Sequence, residues 1–224
     1  MTGYTLTRSR RRTVAIHLLD GQVEVRAPLR LPKRDIDQFV ASKELWIRKR
    51  LAKWQELSAR RAAFTLNYGA AVMFRGAVYP LAEKAGTRAG FDGQAFFLPP
   101  GLTPEQLKSI IPQIYRSLAK RFLNERVAHF SGRLSLTPAA VRINGAKTRW
   151  GSCSIGQSLN FSWRLVLAED DVIDYVVVHE LAHLTEMNHS PRFWAIVEGV
   201  FPDHRERRKR LGALQRRLNA EGWE

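Results

Sequence analysis

The chain has 224 residues, a formal net charge of +15 and a pI near 10.7. That length holds one large domain or two modest ones with a sizeable core, and the composition is ordinary for a soluble globular protein. No apolar run approaches the ~20 residues a bilayer span needs. A single cysteine, Cys153, excludes an internal disulfide framework and fits a reducing compartment. The basic excess points to an acidic partner, nucleic acid foremost, or to solubility alone. Met1 to Arg12 is basic but no apolar segment follows it, so a cytoplasmic protein without a secretory signal is expected.

In chain order, residues 4–30 read as strands. Val14, Ile16 and Leu18 alternate with Ala15 and His17, Asp20-Gly21 is a turn signal, and Val23 and Val25 resume the alternation. The cluster Arg8, Arg10, Arg11, Arg12 reads as a solvated edge, with phosphate binding as the alternative. Pro32 to about Arg61 has helical spacing through Ile36, Phe39, Val40, Trp46, Ile47, Leu51 and Trp54. Its tryptophans are expected in the core and its many cations in solvent, with a basic, tryptophan-bearing face that binds nucleic acid as the alternative. Short strands follow over 64–98. Thr103-Pro104-Glu105 then opens a helix to about Phe130, closed by Ser131-Gly132.

Val141 and Ile143 suggest a strand, and Leu159 to Leu167 alternates cleanly enough to predict another over its whole length. Glu169, Asp170 and Asp171 suit a helix N-terminus, and the apolar run behind them predicts a covered, central helix from about Asp171 to Met187. Asn188-His189-Ser190-Pro191 breaks it, and Ser190 can cap the next helix. A last helix, about Asp203 to Asn219, is basic outside and carries Leu211, Leu214 and Leu218 inside. The expected division is a β-rich region with one long helix over 1–100 and a catalytic region over 101–224.

The central helix carries His179-Glu180-Leu181-Ala182-His183. Burying three ionisable groups in an apolar run without partners is costly, and a metal ion compensates them. Residues i and i+4 share a helical face, so His179 and His183 can meet one cation with Glu180 beside it as a base. Catalytic zinc takes three protein ligands and keeps one position for water. The third ligand has two local candidates, Glu186 on the same helical face and His189 past the break. The reversal of the chain favours His189, because a carboxylate one turn further along the axis points away from the pair. The expected reaction is peptide-bond hydrolysis, with Glu180 taking a proton from water and returning it to the leaving amine. Arg149 and Tyr175 are candidates for stabilising an oxyanion. His17, His129 and His204 lack ligand spacing, and Cys153 reads as a buried structural thiol.

Arg149-Trp150-Gly151-Ser152-Cys153-Ser154, the segment Leu159 to Leu167, Val172 through His183 and Asn188-His189-Ser190-Pro191-Arg192-Phe193-Trp194 together resemble the YgjP-like zinc metallopeptidases, relatives of the WLM and SprT zincins. The stretch from Val14 to Trp46 is similar more loosely. The resemblance implies an α+β, zincin-like catalytic domain, its active-site helix beside a mostly antiparallel sheet, with a smaller hairpin-and-helix region before it. It also implies one zinc per chain on His179, His183 and His189, Glu180 as the base, and an extended peptide pairing with the Leu159 to Leu167 strand or its neighbour. The spacing matches metzincins too, but Glu186 stands where they have glycine and no Met-turn follows. The alternative is a nucleic-acid-associated basic module whose metal site is structural or vestigial. The two combine in a protease acting on DNA-bound proteins.

Overall fold

The computed structural model describes residues 3–223; Met1 and Thr2, the start of the basic N-terminal segment, and Glu224 lie outside them. The chain divides into two compact units, Met1–Phe64 and Thr65–Glu224, and the strands over 71–98 lie in the second.

In the first unit, β1 (Thr5–Ser9), β2 (Ala15–Leu19) and β3 (Gln22–Pro28) form a sheet ordered β1-β3-β2, with β1 parallel and β2 antiparallel to β3. The β2–β3 turn places both Asp20 (φ 48°) and Gly21 (φ 77°) in the left-handed region that a tight hairpin requires. The predicted helix over 32–61 is two helices, α1 (Lys33–Ser42) and α2 (Glu44–Ala63), broken at Lys43. Val23, Val25, Ala27, Ile36, Val40 and Ile47 make the core, with Leu51 partly buried against it. Trp46 and Trp54 are not in it: they are 44% and 37% exposed. Ile47 and Leu51 occupy the packed side of α2, and helical spacing alone cannot tell which of two apolar stripes will pack.

The second unit contains a sheet ordered β4-β5-β7-β6, from β4 (Ala71–Phe74), β5 (Ala77–Glu83), β6 (Gly90–Phe91) and β7 (Phe96–Leu98). Helix α3 (Pro104–Leu134) starts on a capping box, the Thr103 hydroxyl accepting from Gln106 N–H and the Gln106 side chain accepting from Thr103 N–H. It runs one turn past Phe130 to a left-handed Ser135. A third sheet, ordered β8-β10-β9, is mixed: β10 (Ser158–Ser162) lies parallel to β8 (Ala140–Asn144) and antiparallel to β9 (Gly151–Cys153). Then come α4 (Asp170–Ala182), α5 (Pro191–Val200) and α6 (His204–Glu221). The architecture is α+β. No helix among the described residues is long and apolar enough to cross a membrane.

The strand expected through Leu167 stops at Ser162, and Trp163–Leu167 is a 3-10 helix. Its five side chains are all buried, Arg164 included, so the apparent inside–outside alternation does not operate there. Trp163 stacks on Tyr115 at 5.5 Å between ring centroids, with Trp223 edge-on to Tyr115. The Arg164 guanidinium donates to the carbonyls of Gly145, Ala146 and Trp223, tying the loop after β8 and the C-terminus to this core. Arg164→Met keeps the length and leaves those buried acceptors without their charged donor, a cost of about 3 kcal/mol. Thermal denaturation should therefore show a midpoint lower by about 6–12 °C.

Candidate metal centre

Helix α4 is anchored by ion pairs around its first turns. Asp170 meets Arg75, Asp171 meets Arg207 and Arg210, and Asp174 holds Arg126 at 2.6 Å. The acids at its start also suit the positive end of the helix dipole. Val172, Ile173 and the run Tyr175 to Val178 are buried, so α4 is the central, covered element expected. It ends earlier than predicted, at Ala182, with His183 as its C-cap. The chain then turns over Leu184 to Asn188, and Ser190 caps α5 by accepting from Phe193 N–H.

This reversal brings His189 back over α4. One ring nitrogen each from His179, His183 and His189 lie within 4.8 Å of one another. The Nε2 atoms of His189 and His179 are 3.1 Å apart. His183 Nδ1 is 3.0 Å from the carbonyl oxygen of Glu186; donating there, it presents Nε2 as the free lone pair. Two ring nitrogens at such a distance require a proton or a cation between them, and three convergent imidazoles form a donor set suited to a divalent transition metal. The residues therefore fit the metal that the motif implies. The Glu186 carboxylate is turned elsewhere, accepting from the Ser190 hydroxyl at 3.3 Å with Arg192 at 4.0 Å. Its contribution to the cluster is the backbone carbonyl.

Phe193, fully buried, floors the cluster with ring centroids 4.8, 4.5 and 4.7 Å from His179, His183 and His189. Trp194 stacks on exposed His189 at 5.8 Å and on His204 at 4.8 Å. His204, which lacks ligand spacing in the sequence, is a buried ring in this stack, with Nε2 at 3.2 Å from Glu198. Apolar and aromatic spacing on α5 announces a packed face; that this face is the floor of three imidazoles is settled only by the fold.

Glu180 is 5% exposed and lies directly under β9. A Cβ on Gly151 would stand 2.6 Å from its Cγ and Oε1, so only glycine permits this approach. An open cleft of about 650 Å³ joins His179, His189 and Glu180 to Trp150, Gly151, Tyr175 and Arg208. Tyr175 is buried, its ring 5.9 Å from that of His179. Arg149 is exposed, and its charge acts on Glu180. Spacing alone does not single out Gly151, Phe193 or Arg208, which come from β9, α5 and α6. Cys153, expected to be buried, is half-exposed on β9.

Burial pushes the Glu180 carboxyl up to about 8, Arg149 opposing the shift, and pushes His179 down to about 3 with help from the other imidazoles. In the metal-free protein, folded Glu180 keeps a proton that the unfolded chain sheds near 4.5, so stability falls as pH rises through the shift, toward about 8. Folded His179 refuses a proton that the unfolded chain takes up near 6.5, so stability falls as pH drops toward about 3. Between 4.5 and 6.5 the two slopes oppose each other. Melting of chelator-treated protein should show a plateau there with a decline on each side, and Glu180→Gln should flatten the alkaline decline.

A family model described as YgjP-like, metallopeptidase domain, matches residues 12–213. No curated protein matches the chain. Among solved structures, the metallopeptidase zymogen abylysin of Pyrococcus abyssi is similar at 27% identity and TM-score 0.38, the match covering 40% of this chain and 90% of that one. The metallopeptidase zymogen jannalysin of Methanocaldococcus jannaschii is similar at 19% identity and TM-score 0.37, with 42% and 95% covered.

Proposed function

The chain belongs to the YgjP-like metallopeptidase family, and we propose that it hydrolyses peptide bonds with one zinc ion held by His179, His183 and His189 and with Glu180 as the general base. The observation that carries this reading is the convergence of the three imidazoles, two of which, His179 and His189, line one cleft with the buried carboxylate of Glu180. A zinc ion there supplies Lewis acidity, making water a nucleophile near neutral pH and polarising the scissile carbonyl.

The chain's own residues do the rest. The His183 Nδ1–H bond to the Glu186 carbonyl fixes which nitrogen faces the site, and Phe193 and Trp194 hold the ring planes. Glu180, confined beneath Gly151, takes a proton from the attacking water and returns it to the leaving amine. Glu180 would be drawn toward its ionised, basic form by a cation on the imidazoles, against the effect of burial. Tyr175 lines the cleft and is one candidate donor to a developing oxyanion; Arg149, the other, does not line it and is supported only by the action of its charge on Glu180, whereas Arg208 is a cation that does line it. The substrate is a peptide in extended form. Strand β9 pairs with β10 on one side only, and its first residue, Gly151, lines the cleft, so β9 is the edge to which a substrate strand adds. Segment Leu159 to Leu167 is excluded from that role, since β10 is the central strand.

Metal analysis of protein purified without chelator tests the ligand set. Wild type and Glu186→Ala should carry about one zinc per chain, whereas His189→Ala should lose it, because a two-ligand site falls short of the three protein ligands a catalytic zinc requires. Retention by His189→Ala with loss from Glu186→Ala would reverse the assignment of the third ligand. Absence of zinc from wild type would overturn the reading.

A further inference from the structure

The charge is unevenly placed. Residues 1–64 hold 15 of the chain's 36 Lys and Arg but 6 of its 21 Asp and Glu, a net +9 in the first 64 of 224 residues. Several of these cations are already engaged within the unit. Arg8 donates to the carbonyls of Pro28, Leu29 and Leu31, Arg26 pairs with Glu24, Lys33 with Asp37, and Arg48 with Glu44. Helix α2 carries a set that is not. Trp46, Lys49, Arg50 and Lys53 recur at i, i+3, i+4 and i+7 and so share one face. All four are exposed, and among the described residues none of the three cations has a carboxylate partner. The Arg50 guanidinium lies 5.5 Å from the Trp46 ring centroid, so the indole stands among the charges instead of apart from them.

We propose that this face of α2 binds single-stranded nucleic acid, the cations meeting phosphates and the Trp46 indole stacking on an unpaired base. The inference is independent of the metal centre. Unpartnered cations on one face call for a polyanion. An exposed indole in their midst calls for a flat partner that travels with the phosphates, and base faces are free for that only in single strands. A membrane surface fits less well. An interfacial helix keeps its apolar face apart from its basic one and inserts it. Here Ile47 and Leu51 are committed to the core of the unit, and the other large exposed apolar residues of α2, Leu45 and Trp54, stand on opposite sides of the helix and make no single apolar face.

The test is fluorescence anisotropy of the full, zinc-loaded chain with labelled oligothymidylate and oligouridylate of about 20 nucleotides, a length that spans one such binding site. Duplex DNA of equal length and phosphatidylserine vesicles are the competitors. Three phosphate contacts predict an affinity loss of about 20-fold between about 50 and about 200 mM salt. The triple variant Lys49→Gln, Arg50→Gln, Lys53→Gln should lose most of the binding and its salt dependence. Trp46→Ala should weaken single-strand binding at least about fivefold and leave the salt slope in place. An unchanged melting temperature and circular dichroism spectrum in both variants confirm that they fold. The proposal is overturned by no binding at low salt, by a triple variant that binds like wild type, or by equal or tighter association with duplex or vesicles.

Discussion

Glu180→Gln is expected to lower peptide hydrolysis about a thousandfold while leaving zinc in place, a magnitude typical of losing a positioned general base. The substitution isolates one property. Glutamine has the shape of glutamate, so it fits the slot beneath Gly151, where a Cβ on residue 151 would already lie 2.6 Å from the side chain. It carries no charge, so burial at 5% exposure costs it less than it costs a carboxylate. What it cannot do is accept a proton. The imidazoles of His179, His183 and His189 and their floor, Phe193, are untouched. Zinc-to-protein ratios and cleavage of an unstructured peptide, measured on one preparation, separate the outcomes. Activity retained with zinc present would remove Glu180 as base; zinc lost with activity would leave its role undecided between base and support, which the Gly151 variant below resolves.

The legibility of this site in the sequence follows the range of the interactions that build it. The pairing of His179 with His183 is a property of helical spacing, and the Asn188-His189-Ser190-Pro191 break announces a reversal within a few residues. Both are local, and both are visible before any fold is known. The close approach of Gly151 to Glu180 joins residues 29 apart through the pairing of β9 with β10, and nothing in either neighbourhood signals it. Arg164 shows the opposite failure. Its charge in an alternating run reads as the solvent side of a strand, yet it is buried, with backbone carbonyls from Gly145, Ala146 and distant Trp223 as acceptors. Ser162 marks the change, its hydroxyl accepting from Arg164 N–H at the start of the 3-10 helix. On α2 the helical periodicity carries two apolar stripes, and tertiary packing selects Ile47 and Leu51 over Trp46 and Trp54.

Gly151→Ala tests the position of Glu180 where Glu180→Gln tests its chemistry. An added Cβ would meet Glu180 Cγ and Oε1 at 2.6 Å and Cδ at 2.7 Å. All three atoms belong to the Glu180 side chain and none to the backbone, so the clash is relieved by turning that side chain about its Cα–Cβ bond, which displaces the carboxylate, and not by unfolding the sheet. Gly151 also keeps its pairing with Phe161 through the backbone, which alanine retains. The expected result is a fall in kcat of about a hundredfold, the effect of misplacing a reacting group by about 1 Å. Zinc content and melting temperature should stay near those of wild type, because the imidazoles and the core around Trp163 lie outside the clash. A larger residue, Gly151→Val, should add instability, since a branched side chain also presses on the backbone of β9. If Gly151→Ala turned over substrate like wild type, Glu180 would have to act from more than one position, and its confinement under β9 would not matter to the reaction. If it lost zinc as well, the carboxylate and the imidazoles would share a support that the separate anchoring of His183 by Glu186 and of His189 by Trp194 argues against.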